Sequence, residues 1–296
     1  MVVGIQETAQ DKIIRWVCNL MITLLAIVCL YPYLNVVAKS FSSGDAVMSG
    51  QVNGIFPKDI TIETYKKLLF ESNTFFNSLK NTLFITLVGT MLNLTLTIFI
   101  AFAVSRRNLP GSRLIMLLYI ITMLFSGGII PTYLVVIGVG LRNSLWSLII
   151  PGLVSAFNVV LMRNYFATIP ASLEESAMMD GADNFTVLLK IMVPLAKPSI
   201  ACIALFCAVG YWNSFFNALM YIDDRSKTVL QIYLRNMILS VQAAEMNGVM
   251  DEFMKDMANE TMRGATVFAS TLPIVCLYPF LQRYFIKGMT LGAVKE

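Results

Sequence analysis

The chain of 296 residues is 57% hydrophobic and only 14% charged, with a mean hydropathy of +0.70. A soluble domain carries about 25% charged residues, so the composition excludes one and indicates an integral membrane protein. A net charge of +4 does not point to nucleic acid, and the lack of histidine removes Ser-His catalysis, His-based zinc sites and histidine proton relays.

Six uncharged apolar runs follow in chain order, at about 16–38, 81–105, 114–139, 143–162, 198–222 and 264–282. Each has about the 20 residues that cross a bilayer as helix. Alternating ten-residue strands are missing, which argues against a β-barrel. The first run is longer than a signal-peptide core and lacks a small-x-small cleavage site, so it reads as a retained anchor. The expected fold is an all-α membrane protein with six transmembrane helices and a polar loop, 163–197, between helices four and five. The five cysteines all fall inside the runs without zinc or disulfide spacing, and read as small packing side chains.

Segments 39–80 and 223–263 separate spans one from two and five from six. The first holds Phe56-Pro57-Lys58 and an amphipathic stretch over 62–70. The second places Leu230, Tyr233, Leu234, Met237, Ile238 and Val241 on one helical face. Such faces either cap the bundle or dock an external partner. The short loop with Arg106, Arg107 and Arg113 is more basic than the opposite one, which has Arg142 alone. Lys12 and Arg15 precede the first span, and Arg283, Lys287 and Lys295 follow the last. The positive-inside rule then puts both termini and loop 163–197 in the cytoplasm, and 39–80 and 223–263 outside.

No run holds an Asp, Glu, Lys or Arg in its interior, where ion-coupled carriers usually place ionisable groups. The chain also lacks the Gly-x-x-x-x-Gly-Lys-Ser/Thr loop that binds ATP. Uphill movement of a solute therefore calls for energy supplied by another subunit. Backbone carbonyls can bind Na⁺ without carboxylates, so an ion-coupled secondary solute carrier working without an ATPase is the alternative.

Loop 163–197 is the most structured of the polar segments. Ile169-Pro170 breaks the chain, and Ser172 stands three residues before Glu175, the spacing of a capping box. Glu174 and Glu175 suit a first helical turn. Leu173, Ala177 and Met178 form a small apolar face, and Gly181 fits a left-handed helix end. A second amphipathic segment over 185–193 runs to Pro194. The pattern predicts helix, glycine turn, helix. Taken on capping and amphipathicity alone, this is an ordinary surface hairpin.

Its spacing resembles the signature loop of bacterial binding-protein-dependent ABC importer permeases: Glu-Ala-Ala, three residues, Gly, nine residues, Ile-x-Leu-Pro. Here the anchors are Glu175-Ser176-Ala177, Gly181 and Ile191-Met192-Val193-Pro194, departing at Ser176 and Val193. Asp180-Gly181-Ala182, Phe56-Pro57-Lys58 with Tyr65 and Asn81, the 101–106 end of span two, Tyr211-Trp212-Asn213-Ser214-Phe215 and Gly292-Ala293-Val294-Lys295 resemble the maltose-transporter-type carbohydrate permeases. The segment 125–133 is similar to a subgroup for larger oligosaccharides. The resemblance implies a single permease domain over 1–296 in the bacterial cytoplasmic membrane. It implies a heterodimer with a homologous second permease, two ATP-binding subunits, an extracytoplasmic solute-binding protein and a carbohydrate substrate. It implies no catalytic residue, metal or cofactor in this chain, with ATP and Mg bound by the partner ATPase. The ATPase-coupling residues it implies are Ser172, Glu174, Glu175, Ser176, Ala177, Met178, Asp180, Gly181, Ile191 and Pro194.

Polar and aromatic groups inside the spans are the candidates for a sugar path, because aromatic faces suit sugar C–H faces and amides suit hydroxyls. Tyr211, Trp212, Asn213, Phe216 and Asn217 come first, then Tyr133 and Asn158. The same residue types also serve helix packing and the interfacial aromatic belt. Gly127, Gly128 and Pro131 are expected to permit a kinked or closely packed span.

Overall fold

The computed structural model describes residues 9–106, 109–247 and 260–293, and all regular structure among them is helical. Two compact units form, one from Met1–Ser72 with Asn236–Ser270, the other from Asn73–Arg235 with Thr271–Glu296.

In the first unit, α1 (Ala9–Ser40) runs 32 residues through Pro32. Its apolar side chains, such as Leu25 and Val28, are exposed, a surface suited to lipid. Segment 39–80 is folded. Ser42 donates to the Ala38 carbonyl at 2.7 Å and accepts from the Lys58 N–H at 3.0 Å, tying Phe56-Pro57-Lys58 to the end of α1. Ser43 caps α2 (Gly44–Met48). The amphipathic 62–70 stretch is only partly α-helical: α3 (Glu63–Lys66) passes into a π turn, Lys67–Glu71. Tyr65 stacks near Phe41 at 4.9 Å and shares a 2.7 Å hydrogen bond with Ser40. Early in the last helix, α14 (Glu260–Ala293), Gly264 permits close approach to α1: a Cβ there would lie 2.7 Å from the Val36 carbonyl oxygen. Lys39 pairs with Glu260 beside it.

The second unit is organised around α4 (Asn73–Ser105), a 33-residue helix. Three of the expected spans are broken here, the first at Gly127-Gly128 where a kink was expected. The 114–139 run forms α5 (Ser112–Leu124) and α6 (Ile129–Gly138), bent by 113°. Gly128 sits at φ +85°, which an L side chain resists, and Phe125 is extended. The 143–162 run begins with two 3₁₀ turns, Leu145–Leu148 and Ile150–Gly152, because Pro151 lacks an N–H for a helical ladder. Ser155 then caps α7 (Ala156–Phe166), which continues past residue 162. The 198–222 run is interrupted at Asn213 and Ser214 between α11 (Lys197–Trp212) and α12 (Phe215–Tyr221).

Two described helices are long and apolar enough to cross a membrane, or up to five spans when each bent pair is taken as one. The core of this unit joins Ile85, Phe102, Met162, Phe166, Leu188 and Ile203, all buried. On α13 (Leu230–Asn247), Leu230, Tyr233 and Met237 are buried as the face predicts, but Ile238 is 43% exposed, and the side chain of Val241 lies outside the described residues. The Leu230 N–H donates to Thr82 at 2.9 Å, and Asn81 donates to the Ser226 and Thr228 carbonyls.

Candidate functional site

The hairpin begins with α8 (Ala171–Met179), whose N-cap is Pro170, and no side chain caps it. The Ser172–Glu175 capping box is therefore not formed. Pro170 starts the helix two residues earlier than a Ser172 cap would, which carries Ser172 inside the first turn and leaves Glu175 exposed. The anchored acid is Glu174 instead. It pairs with Arg106, and the two side chains are only 18% and 21% exposed. The Arg106 guanidinium in turn lies 4.3 Å from the centre of the Phe102 ring.

The helix ends where the glycine requires. Gly181 has φ +86°, its N–H donates to the Met178 carbonyl at 3.0 Å, and the Ala182 N–H reaches the Ala177 carbonyl at 2.9 Å. These are the two bonds of a Schellman motif. A second helix follows as α9 (Asn184–Val187), a π turn over Leu188–Met192 and the short α10 (Val193–Leu195). Asp183 caps α9 by accepting from the Thr186 N–H at 3.0 Å, and this bonding to Thr186 holds its carboxyl below the usual range. Phe185 stacks on Phe99 at 6.2 Å with 16° between the rings. Ala177, Ala182 and Ile191 are half-buried, while Ser172, Ser176, Asp180, Gly181 and Pro194 are exposed. Leu173, Met178 and Met179 are also exposed, the last at 88%. One side of the hairpin is thus fixed to the bundle and the other presents acidic and apolar groups outward.

A cavity of about 440 Å³ opens elsewhere in the same unit. Asn93 of α4, Gly152 of the 3₁₀ segment, Ser155 and Asn158 at the start of α7, Phe206, Cys207 and Tyr211 of α11, and Asn213, Ser214, Phe216 and Asn217 line it. Asn93 is the hub of its wall. Its amide donates to the Gly152 carbonyl at 2.9 Å, and its oxygen accepts from Thr97 and from the Cys207 thiol, both at 3.2 Å. Asn158 donates to Cys207 at 3.3 Å. A buried amide needs such partners, since an unmade hydrogen bond costs more than a made one gains. Behind Tyr211, Gly89 of α4 leaves room for the ring: a Cβ there would meet it at 2.8 Å. The lining offers amides, hydroxyls and aromatic faces, a donor and acceptor set suited to polyhydroxylated solutes.

Of the seven expected path residues, Tyr211, Asn213, Phe216, Asn217 and Asn158 meet at this cavity. Trp212 does not: one step of about 100° round α11 from Tyr211 puts it on a packed side, 4% exposed. Tyr133 stacks on Tyr221 at 5.9 Å and is also not among the lining residues. Sequence reasoning missed Asn93, although an amide inside the apolar 81–105 run was a readable signal. It also took Cys207 for plain packing, whereas the thiol is buried and hydrogen-bonded to both amides.

Residues 93–291 match the family described as the binding-protein-dependent transport system inner membrane component. The chain belongs to this family. The permease is 38% identical over 274 residues to the polygalacturonan/rhamnogalacturonan transport system permease protein YtcP of Bacillus subtilis (strain 168), covering 92% of this chain and 94% of that one. It is 41% identical over 281 residues to protein LplC of the same organism, 94% of each. Its fold matches a chain in the crystal structure of a bacterial ABC transporter involved in the import of the acidic polysaccharide alginate, with a TM-score of 0.84 at 35% identity, over 94% of this chain and 99% of that one. YtcP is named for transport of a carbohydrate and the alginate protein for import of one, in line with the carbohydrate-permease resemblance, and the family membership argues against an ion-coupled carrier.

Proposed function

We propose that the permease is one of two homologous membrane subunits of an ATP-driven importer for an oligosaccharide, with six spans and both termini in the cytoplasm. Two ATPase subunits, which bind ATP and Mg, engage the exposed side of α8, and a solute-binding protein delivers sugar from outside. The cavity at Asn93, Asn158 and Tyr211 is this subunit's part of the sugar path. The named substrates of the relatives, polygalacturonan or rhamnogalacturonan and alginate, favour a uronic-acid-containing oligosaccharide.

The observation that carries the reading is the two-sided hairpin, fixed inward by Glu174, Ala177, Val187 and Leu188 and open outward at Glu175, Met178 and Met179. A surface loop with no partner gains little from an exposed apolar face. ATP binding favours a closed ATPase pair, and that difference in affinity is the free energy available to shift the permease between outward- and inward-open states. This chain's residues transmit the shift.

The test is copurification and reconstitution. Co-expressed with its neighbouring permease, ATPase and binding protein, the chain should retain the ATPase through detergent extraction and should import oligogalacturonate only with ATP. Glu175→Lys should abolish both retention and import, and Gly181→Val should sharply reduce both. Import by this chain alone, driven by an ion gradient and indifferent to ATP, would sink the proposal.

A further inference from the structure

Both covalent routes out of the hairpin pass through breaks. The chain enters α8 from α7 through a turn that ends at Pro170, and it leaves through an 81° bend between Asn184–Leu195 and Lys197–Trp212. A push along either route meets a corner. The unbroken element beside the hairpin is α4, a continuous 33-residue helix whose side chains meet the hairpin.

Those side chains form a short ladder. Phe99 and Phe102 lie three residues apart on one face of α4, and Arg106 follows one residue past the helix end. Phe99 stacks on Phe185 of the second hairpin helix. Phe102 meets Phe166 of α7 edge-on at 6.3 Å and lies beneath the Arg106 guanidinium. Arg106 pairs with Glu174 of the first hairpin helix. Arg106 itself is held to α4, because its N–H donates to the Ala103 carbonyl at 3.3 Å. The pair is mostly withdrawn from solvent, where a charge contact is stronger than on an open surface. Asn93, the hub of the cavity wall, stands nine residues before Phe102 on the same helix, about 14 Å away at 1.5 Å per residue. No proline or glycine intervenes.

We propose that Arg106 is a positioning residue for transport: by gripping Glu174 it fixes the first hairpin helix to the end of α4, so that displacement of the hairpin is delivered to Asn93 and the cavity wall. Phe102 holds the guanidinium from below, and the Phe99–Phe185 stack holds the second hairpin helix to the same face. The proposal rests on the ATPase-coupling reading of the hairpin and adds the route by which that coupling reaches the path.

The experiment reads the cavity directly and needs no identified sugar. Asn217→Cys is placed in the cavity lining of a chain whose five native cysteines, Cys207 of the same lining among them, are replaced by serine or alanine, and its modification by a charged methanethiosulfonate is timed in the reconstituted full complex, with and without ATP and vanadate. In that background ATP should change the modification rate by about tenfold, a typical coupling between sites. Arg106→Glu alone and Glu174→Arg alone should each remove the ATP effect, and Arg106→Glu should do so with the ATPase still bound. The exchanged pair R106E/E174R should restore most of it. Should a charge reversal prevent assembly, Glu174→Gln and Arg106→Lys keep the size of the groups, and the first should weaken the ATP effect more than the second.

An undiminished ATP effect in the single reversals or in Glu174→Gln overturns the proposal, as does an assembled R106E/E174R complex with no recovery. Failure of the ATPase to bind the otherwise unaltered chain, or an ATP effect of zero in it, sinks the coupling reading itself and is recognised before any change at Arg106 or Glu174 is made.

Discussion

The hairpin and the cavity are built in opposite ways. The hairpin is local: residues 170–195 supply its Gly181 turn and both helices, while Arg106, Phe99 and Tyr165 hold Glu174, Phe185 and the Leu195 carbonyl from outside and Val187, Leu188 and Met192 enter the bundle core. The cavity is assembled from α4, a 3₁₀ segment, α7, α11 and α12, with Asn93 and Cys207 separated by 114 residues yet hydrogen-bonded. The first hairpin helix is held by a charge pair at the bundle edge and the second by buried apolar side chains, whereas the cavity wall is held by buried neutral amides. A partner-facing device can thus be a contiguous cassette with fixed spacing. A solute path has to be shared among helices that can change their mutual positions.

That contrast sets the order of expected effects. Gly181→Val should be the most damaging change to the hairpin. Nothing lies within 4 Å of a Cβ at Gly181, so the penalty is purely conformational, about 1–2 kcal/mol for a left-handed L residue. Loss of ATPase retention on the purified complex measures it, and Gly181→Asn, which tolerates φ +86°, should keep retention. A Gly181→Val complex that assembles and transports normally would show the turn to be dispensable.

Asn93→Leu attacks the cavity instead. It deprives Gly152, Thr97 and Cys207 of their common partner and should lower stability by about 1–2 kcal/mol, the range for interhelical hydrogen bonds in membranes. Thermal denaturation in detergent should register the loss while ATPase retention stays normal. If both change together, the two regions are less independent than their construction suggests. Phe185→Leu removes the stack on Phe99 and should cost about 0.5–1.5 kcal/mol beyond burial, read as a modest fall in ATPase retention.

The smallest effect is one of pH. Thr186 holds the Asp183 carboxyl below its usual range, so the cap contributes stability that is fully present above the ordinary aspartate pKa of about 4. It is lost as pH falls through the lowered folded value. ATPase retention should decline on acidification through that window, and Asp183→Asn, which keeps an acceptor but cannot titrate there, should flatten the decline.

The same contrast explains what could be read in the chain. Glycine at 181 carries its conformation with it, so the turn was legible, as were the apolar runs. The capping box was not realised, because Ser172 and Glu175 had the right spacing but Pro170 took the cap position. Glu174 and Arg106 stand 68 residues apart, and no local pattern pairs them. In the cavity, Tyr211, Asn213 and Asn217 were visible as polar groups in an apolar run. The broken backbone at Asn213 and Ser214 and in 143–155 was not, because apolar composition satisfies the length of a span whether or not the helix is continuous.

Gly89 bears on how such a path can be retuned. It does not line the cavity, yet the Tyr211 ring rests where its side chain would be. The cavity is therefore adjustable from behind its wall: an added methyl at Gly89 would displace the Tyr211 ring without changing the identity of any lining residue. If the cavity is the proposed sugar path, two permeases with identical linings can differ in its width, and a comparison restricted to the lining residues would overlook the residue behind them.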